Sequence, residues 1–298
     1  MNISNISANS NASNVSNESS VKPGNNNAAL LLRQLGAIVR IEIGNTLFSK
    51  RALIAYILTL IPIILLLSLA FSNGHFTSTD FSIDKTRRIF GFIYSGFILG
   101  AVVFLGSAAI FTALFRGEIL GCSMHYYLLS PVRGELIVLG KFLAGLFSAW
   151  ALFGLTTLIC YLLLYIPFGM TQLISDMTAS IAPAQMFTYL GITMLGCMGY
   201  GSLFMATGLI FRNPLFPVAI IAGWEFIHFV LPPALKFFSV IHYLKGLLPI
   251  PLNNSPLAIV VTPPSVLVSI LSITVLSLCS LTVAILYLKR LEIRYTEN

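Results

Sequence analysis

Six apolar blocks separated by short polar stretches dominate the chain. They run Ala52–Phe71, Ile89–Phe115, Leu136–Phe168, Met186–Phe211, Leu215–Leu231 and Val266–Leu288. Each is close to the roughly 20 residues that cross a hydrocarbon core as a helix. Basic or helix-breaking residues bound them: Lys50-Arg51 before the first, Arg116 after the second, Arg212-Asn213-Pro214 after the fourth, Pro232-Pro233 after the fifth and Lys289-Arg290 after the sixth. The pattern predicts an all-α integral membrane protein with six transmembrane helices, the fifth the shortest.

Two further stretches are apolar without qualifying as spans. Residues 29–50 carry Arg33, Arg40 and Glu42, and each such charge costs about 2.5–3.5 kcal/mol at a bilayer centre. Arg33 and Arg40 share one helical face, opposite Leu31, Leu35 and Ile38, which predicts an amphipathic helix in the cytoplasmic interface. Glu42 falls on the apolar face, so it marks the edge of a shallow helix or meets a basic partner inside the protein. Residues 234–263 begin amphipathic, with Lys236 and Lys245, and then become rich in proline (249, 251, 256 and 263). A re-entrant or interfacial outer segment spanning about 233–263 fits this better than a crossing helix.

The first 28 residues are an Asn/Ser tract without apolar periodicity, expected to be disordered and not a signal peptide. Their N-x-S sequons at Asn2, Asn5, Asn11, Asn14 and Asn17 are read as a product of composition, because orientation keeps this tail inside. The organisation expected is therefore a tail (1–28), an interfacial helix (29–50), a transmembrane domain (51–290) containing the 116–135 loop, and a cytoplasmic tail (291–298).

Composition agrees. Charged residues are 9% of the chain and the mean hydropathy is +0.90, whereas a soluble domain carries about 25% charged residues. The net charge of +7 does not indicate nucleic acid, since the basic residues flank apolar blocks and form no run. With the amino terminus inside, twelve basic residues are cytoplasmic: Lys22, Arg33, Arg40, Lys50, Arg51, Arg116, Arg133, Lys141, Arg212, Lys289, Arg290 and Arg294. Five are outside: Lys85, Arg87, Arg88, Lys236 and Lys245. This bias places both termini in the cytoplasm. Cys122, Cys160, Cys197 and Cys279 form no CxxC pair, so no disulfide framework or metal site is expected.

The loop between the second and third blocks is the most informative stretch. Glu118 to Leu129 can form a short helix with an acid in its first turn, ended by Pro131. Arg133, Glu135 and Lys141 lead into the third block. Such a helix is either a docking surface for a cytosolic partner or an ordinary interfacial loop. Its residues resemble the coupling loop of exporter-type (type V) ABC permeases: Glu118, Met124-His125-Tyr126-Tyr127, Leu128-Leu129, Pro131, Arg133 and Gly140-Lys141. Cys122-Ser123 stands where that family usually has Gly-Thr. The layout from 29 to 294 is similar too, including re-entrant elements before the last helix.

The resemblance implies a permease that pairs with a second copy, identical or related, and docks Glu118, Met124, His125, Tyr126, Tyr127, Leu128, Leu129, Pro131 and Arg133 against a separate cytosolic ABC ATPase. ATP and magnesium would sit on that partner, with no cofactor on this chain, and the expected location is the cytoplasmic membrane of a prokaryote. The chain itself is not expected to be an enzyme. Its nearest phosphate-loop match, Gly134 to Phe142, is one residue too long and lacks the Ser or Thr that holds magnesium.

Glu225 and His228, three apart in the fifth block, are the ionisable pair predicted inside a span. They could bind a cationic substrate group, relay protons or take part in metal binding, or form structural hydrogen bonds. Gly96 and Gly100 form a GxxxG that predicts close helix packing. Competing readings are a non-transporting assembly subunit, a seven-helix receptor with an exported, glycosylated amino terminus, and a membrane-embedded enzyme, the last lacking any paired carboxylates. The residues leave the substrate open.

Overall fold

The computed structural model describes residues 23–48, 52–73, 83–120, 134–179, 181–211, 213, 215–227, 232–250 and 264–296. The described residues are all-helical, 92% helix with no strands among them, as expected where every backbone polar group must find its partner within its own segment.

Helix α1 (Pro23–Leu47) is followed by α2 (Ala52–Asn73). Next come α3 (Ile83–Ile93), a π-helical stretch (Tyr94–Val103) and α4 (Phe104–Leu120), forming one continuous rod. α5 (Gly134–Leu163) leads through a 3-10 turn (Ile166–Phe168) to α6 (Gly169–Thr178). α7 (Ile181–Ile210) and α8 (Leu215–Ile227) follow, then two short helices, α9 (Pro233–Lys236) and α10 (Val240–Gly246), and finally α11 (Val266–Thr296).

Five stretches among the described residues are long and apolar enough to cross a membrane: Ala52–Phe71, Ile83–Arg116, Gly134–Thr178, Ile181–Ile210 and Val266–Arg290. The third includes the break after Leu163, so α5 is its crossing part. The protein is thus a multi-pass membrane protein. α8, the expected fifth span, is an apolar helix of 13 residues, and at about 1.5 Å per residue it covers only about 20 Å. The other expected spans hold within a few residues at each end.

Three boundaries differ from the sequence expectation. α1 starts at Pro23 instead of residue 29, with proline at a first-turn position where its missing N–H costs nothing. The second span starts at Ile83, because residues 83–88 form an amphipathic turn that buries Thr86 and Arg87 against the bundle. α4 continues through Arg116 and Glu118 to Leu120, so Glu118 belongs to the end of the second span's helix and does not open a separate one.

The core is built on aromatic and small residues. Phe90, Tyr94, Phe111, Phe115, Phe153, Tyr161, Tyr189, Tyr200 and Phe204 are fully buried. α4 and α7 approach so closely that a Cβ on Gly208 would lie 2.8 Å from the Thr112 Cα. Among the described residues the expected GxxxG contact is not made: a Cβ on Gly96 would meet open space, and one on Gly100 only ordinary contacts. Gly96 faces outward from the bundle, so its lack of a side chain brings no helix of this chain closer.

Candidate functional site

Two polar regions of the candidate residues interrupt the apolar interior. The first surrounds Lys141, in the second turn of α5. Its ammonium has no solvent exposure and donates to Glu42 Oε1 of α1 at 3.1 Å and to the Leu114 carbonyl of α4 at 3.3 Å. It also lies 5.5 Å from the centre of the Phe115 ring, a favourable placement for a cation over an aromatic face. The question left by Glu42 on an apolar face is answered: its basic partner is Lys141.

The backbone makes room for this contact. A Cβ on Gly140 would lie 2.7 Å from Ile38 Cγ2, so α1 rests against a notch in α5 that only glycine leaves open. Arg33 and Arg40 are exposed on the other face of α1, while Leu31, Leu35 and Ile38 turn inward, in line with the predicted amphipathicity. Nearby, Lys289 of α11 donates to Glu135 at the start of α5, 2.6 Å away, with both side chains about half exposed.

Glu118 lies on the last turn of α4, and Met124, His125, Tyr126, Tyr127, Leu128, Leu129, Pro131 and Arg133 fall outside the described residues. The two rods that bracket them are long. Ile83–Arg116 has 34 residues and covers about 51 Å, against about 30 Å of hydrocarbon.

The second region surrounds Glu225. Glu225 of α8 is buried, and its carboxylate accepts hydrogen bonds from Ser239 Oγ (2.7 Å), Val240 N–H (2.9 Å) and Ile241 N–H (3.3 Å). Ser239 is the residue preceding α10, and Val240 and Ile241 open that helix. Glu225 therefore occupies the role of a capping carboxylate supplied from another element, where a negative charge also favours the helix dipole. Lys245 lies within electrostatic reach. α10 is itself buried through Val240, Ile241 and Leu244, and Gly199 of α7 faces Val240 and Ile273 at once. The chain thus folds back into the bundle before α11. His228 and residues 251–263 fall outside the described residues.

One charged pair escaped the sequence reading altogether. Arg87 Nη2 donates to Asp176 Oδ2 of α6 at 2.5 Å, and Gln172 Nε2 donates to the other oxygen at 3.1 Å. A second contact links Arg87 to Asp84, 3.4 Å away. Beneath them Tyr94 donates to the Tyr189 carbonyl and shares a hydrogen bond with Thr193, which in turn meets Thr157. The available signal was Asp176 itself, an acid in a mostly apolar stretch.

No group of three or more His, Cys, Asp or Glu suited to a metal occurs among the described residues. Cys160 and Cys197 are buried free thiols and Cys279 is exposed and free. No known protein-family model matches the chain, and no curated protein matches it.

Proposed function

We propose that the chain is the membrane subunit of an exporter-type ABC transporter, forming the transport path with a second copy and docking a separate cytosolic ATPase through the 116–135 loop. The observation that carries this reading is the construction of the loop's frame. The continuous rod Ile83–Arg116 and the 30-residue α5 are each longer than the hydrocarbon core is thick, and both are braced beside the loop to α1 by the buried Lys141–Glu42 pair. A loop with no load on it has no need of such a frame.

The six-span topology belongs to the same reading. α8 belongs to the fifth crossing, and α9 and α10 form the outer re-entrant pair. Both termini lie in the cytoplasm, in a prokaryotic cytoplasmic membrane. The exposed Arg33 and Arg40 suit α1 to an anionic lipid surface, and disfavour the receptor alternative in which α1 crosses.

The test is co-purification from native membranes. The chain should bring down an ATP-binding cassette subunit, and replacing Glu118–Leu129 with a Gly/Ser linker of equal length should abolish that while membrane abundance stays within about twofold. Recovery of the chain without any ATPase, at normal abundance and in mild detergent, would refute the proposal. Glycosidase-sensitive mass on the tail after expression in a glycosylating cell would overturn the topology.

A further inference from the structure

We infer that Lys141 is a positioning residue through which any displacement of the 121–133 loop is passed to the N-terminal helix α1. The inference rests on reading that loop as the docking segment, and its physical basis is separate from the loop's own sequence.

The loop has two anchors, the end of α4 at Leu120 and the start of α5 at Gly134. Lys141 lies seven residues into α5, and the Leu114 carbonyl that accepts from it lies six residues before the end of α4. One buried ammonium therefore ties together both anchors within two turns of the loop. It also donates to Glu42, which belongs to neither anchor but to α1, 99 residues away in sequence. Ile38, one turn earlier on α1, sits in the Gly140 notch.

This junction resists being pulled apart. In a low-dielectric interior an ammonium is tolerated only while its carboxylate and carbonyl partners stay in place, because separation leaves two uncompensated buried charges. A partner that pushes the loop then has only cooperative outcomes: α4, α5 and α1 move as one body, or the junction breaks. An apolar triad of similar volume would hold the same fold but could slide, since dispersion contacts are non-directional and exchange easily.

That difference separates a positioning role from a merely structural one. The experiment measures hydrogen exchange of residues 30–47 in the full chain in nanodiscs under two loads. One load is the co-purifying ATPase with ATP and magnesium. The other is an antibody fragment raised against residues 121–133. Three forms are compared: wild type, Lys141→Arg, and the apolar pair Glu42→Leu with Lys141→Met.

In wild type and Lys141→Arg, each load is expected to change the exchange rate of residues 30–47 at least threefold. In the apolar pair, whose abundance and ATPase retention are expected to stay within twofold of wild type, the load-dependent change is expected to vanish. A threefold response that survives in the apolar pair overturns the inference, as does a wild-type chain in which either load leaves residues 30–47 unmoved. If no ATPase co-purifies, the docking proposal fails by itself, and the antibody load alone decides the role of Lys141.

Discussion

The two ends of the bundle use buried charge differently. Around Lys141 one cation joins three helices, two of them long rods and the third the amphipathic α1. At the other end Asp176 fixes the ten-residue α6 through Arg87, and elsewhere in the bundle Glu225 fixes the start of the seven-residue α10. Short helices are marginal by themselves because nucleation is costly, so a charged anchor decides whether they stay ordered. Long apolar helices need no such help. A charge placed among them constrains their relative position and adds little to their existence.

Substitutions can break or sharpen this contrast. The largest effect is expected for Lys141→Met alone, which strands Glu42 in the interior and should cost about 3–5 kcal/mol. The readout is the thermal midpoint in detergent, where Lys141→Met combined with Glu42→Leu should recover most of the loss. Failure of the double substitution to recover stability would show that the Leu114 and Phe115 contacts, not the ion pair, dominate. Next is Asp176→Asn, expected to cost about 2 kcal/mol, since Arg87 loses its charged partner on α6 but keeps Asp84. The loss should appear as faster proteolysis confined to residues 165–180; a uniform loss across the bundle would erase the distinction between the two ends.

Glu225→Gln leaves one acceptor oxygen for the α10 N–H groups and should cost about 1 kcal/mol, near the usual value of a cap. Hydrogen exchange at residues 240–246 is the sensitive measurement, and an unchanged rate would show that packing of Val240 and Leu244 holds α10 without the carboxylate. The smallest effect is expected for Lys289→Gln. Its partner Glu135 is close at 2.6 Å, yet both side chains are half in solvent and such pairs are worth under about 1 kcal/mol. A thermal shift as large as that of Asp176→Asn would mean that this pair, too, fixes helix positions.

Much of the transmembrane frame was legible from periodicity and from the placement of charges. The first apolar block coincides with its span, and the inward face of α1 follows from Leu31, Leu35 and Ile38 opposite Arg33 and Arg40. Where a re-entrant or interfacial segment was expected, residues 233–246 form the two short helices α9 and α10, and residues 251–263, with most of the prolines, lie outside the described residues. Gly96 of the GxxxG meets no neighbour among the described residues, since spacing alone says nothing about which face meets one. The loop motif lies outside the described residues, so its reading still depends on resemblance.

The sequence by itself determined which segments are apolar, where charge bounds them, and that Glu42 sat on the wrong face for a solvated acid. Those are local properties, set by side-chain chemistry and a fixed helical period. Only the tertiary structure decided which cation meets Glu42, that Glu225 serves a helix fourteen or more residues on, and that Arg87 and Asp176, 89 residues apart, neutralise each other. Partner choice over such separations is set by how the helices dock, and docking depends on close approaches such as Ile38 against Gly140, which no local pattern records.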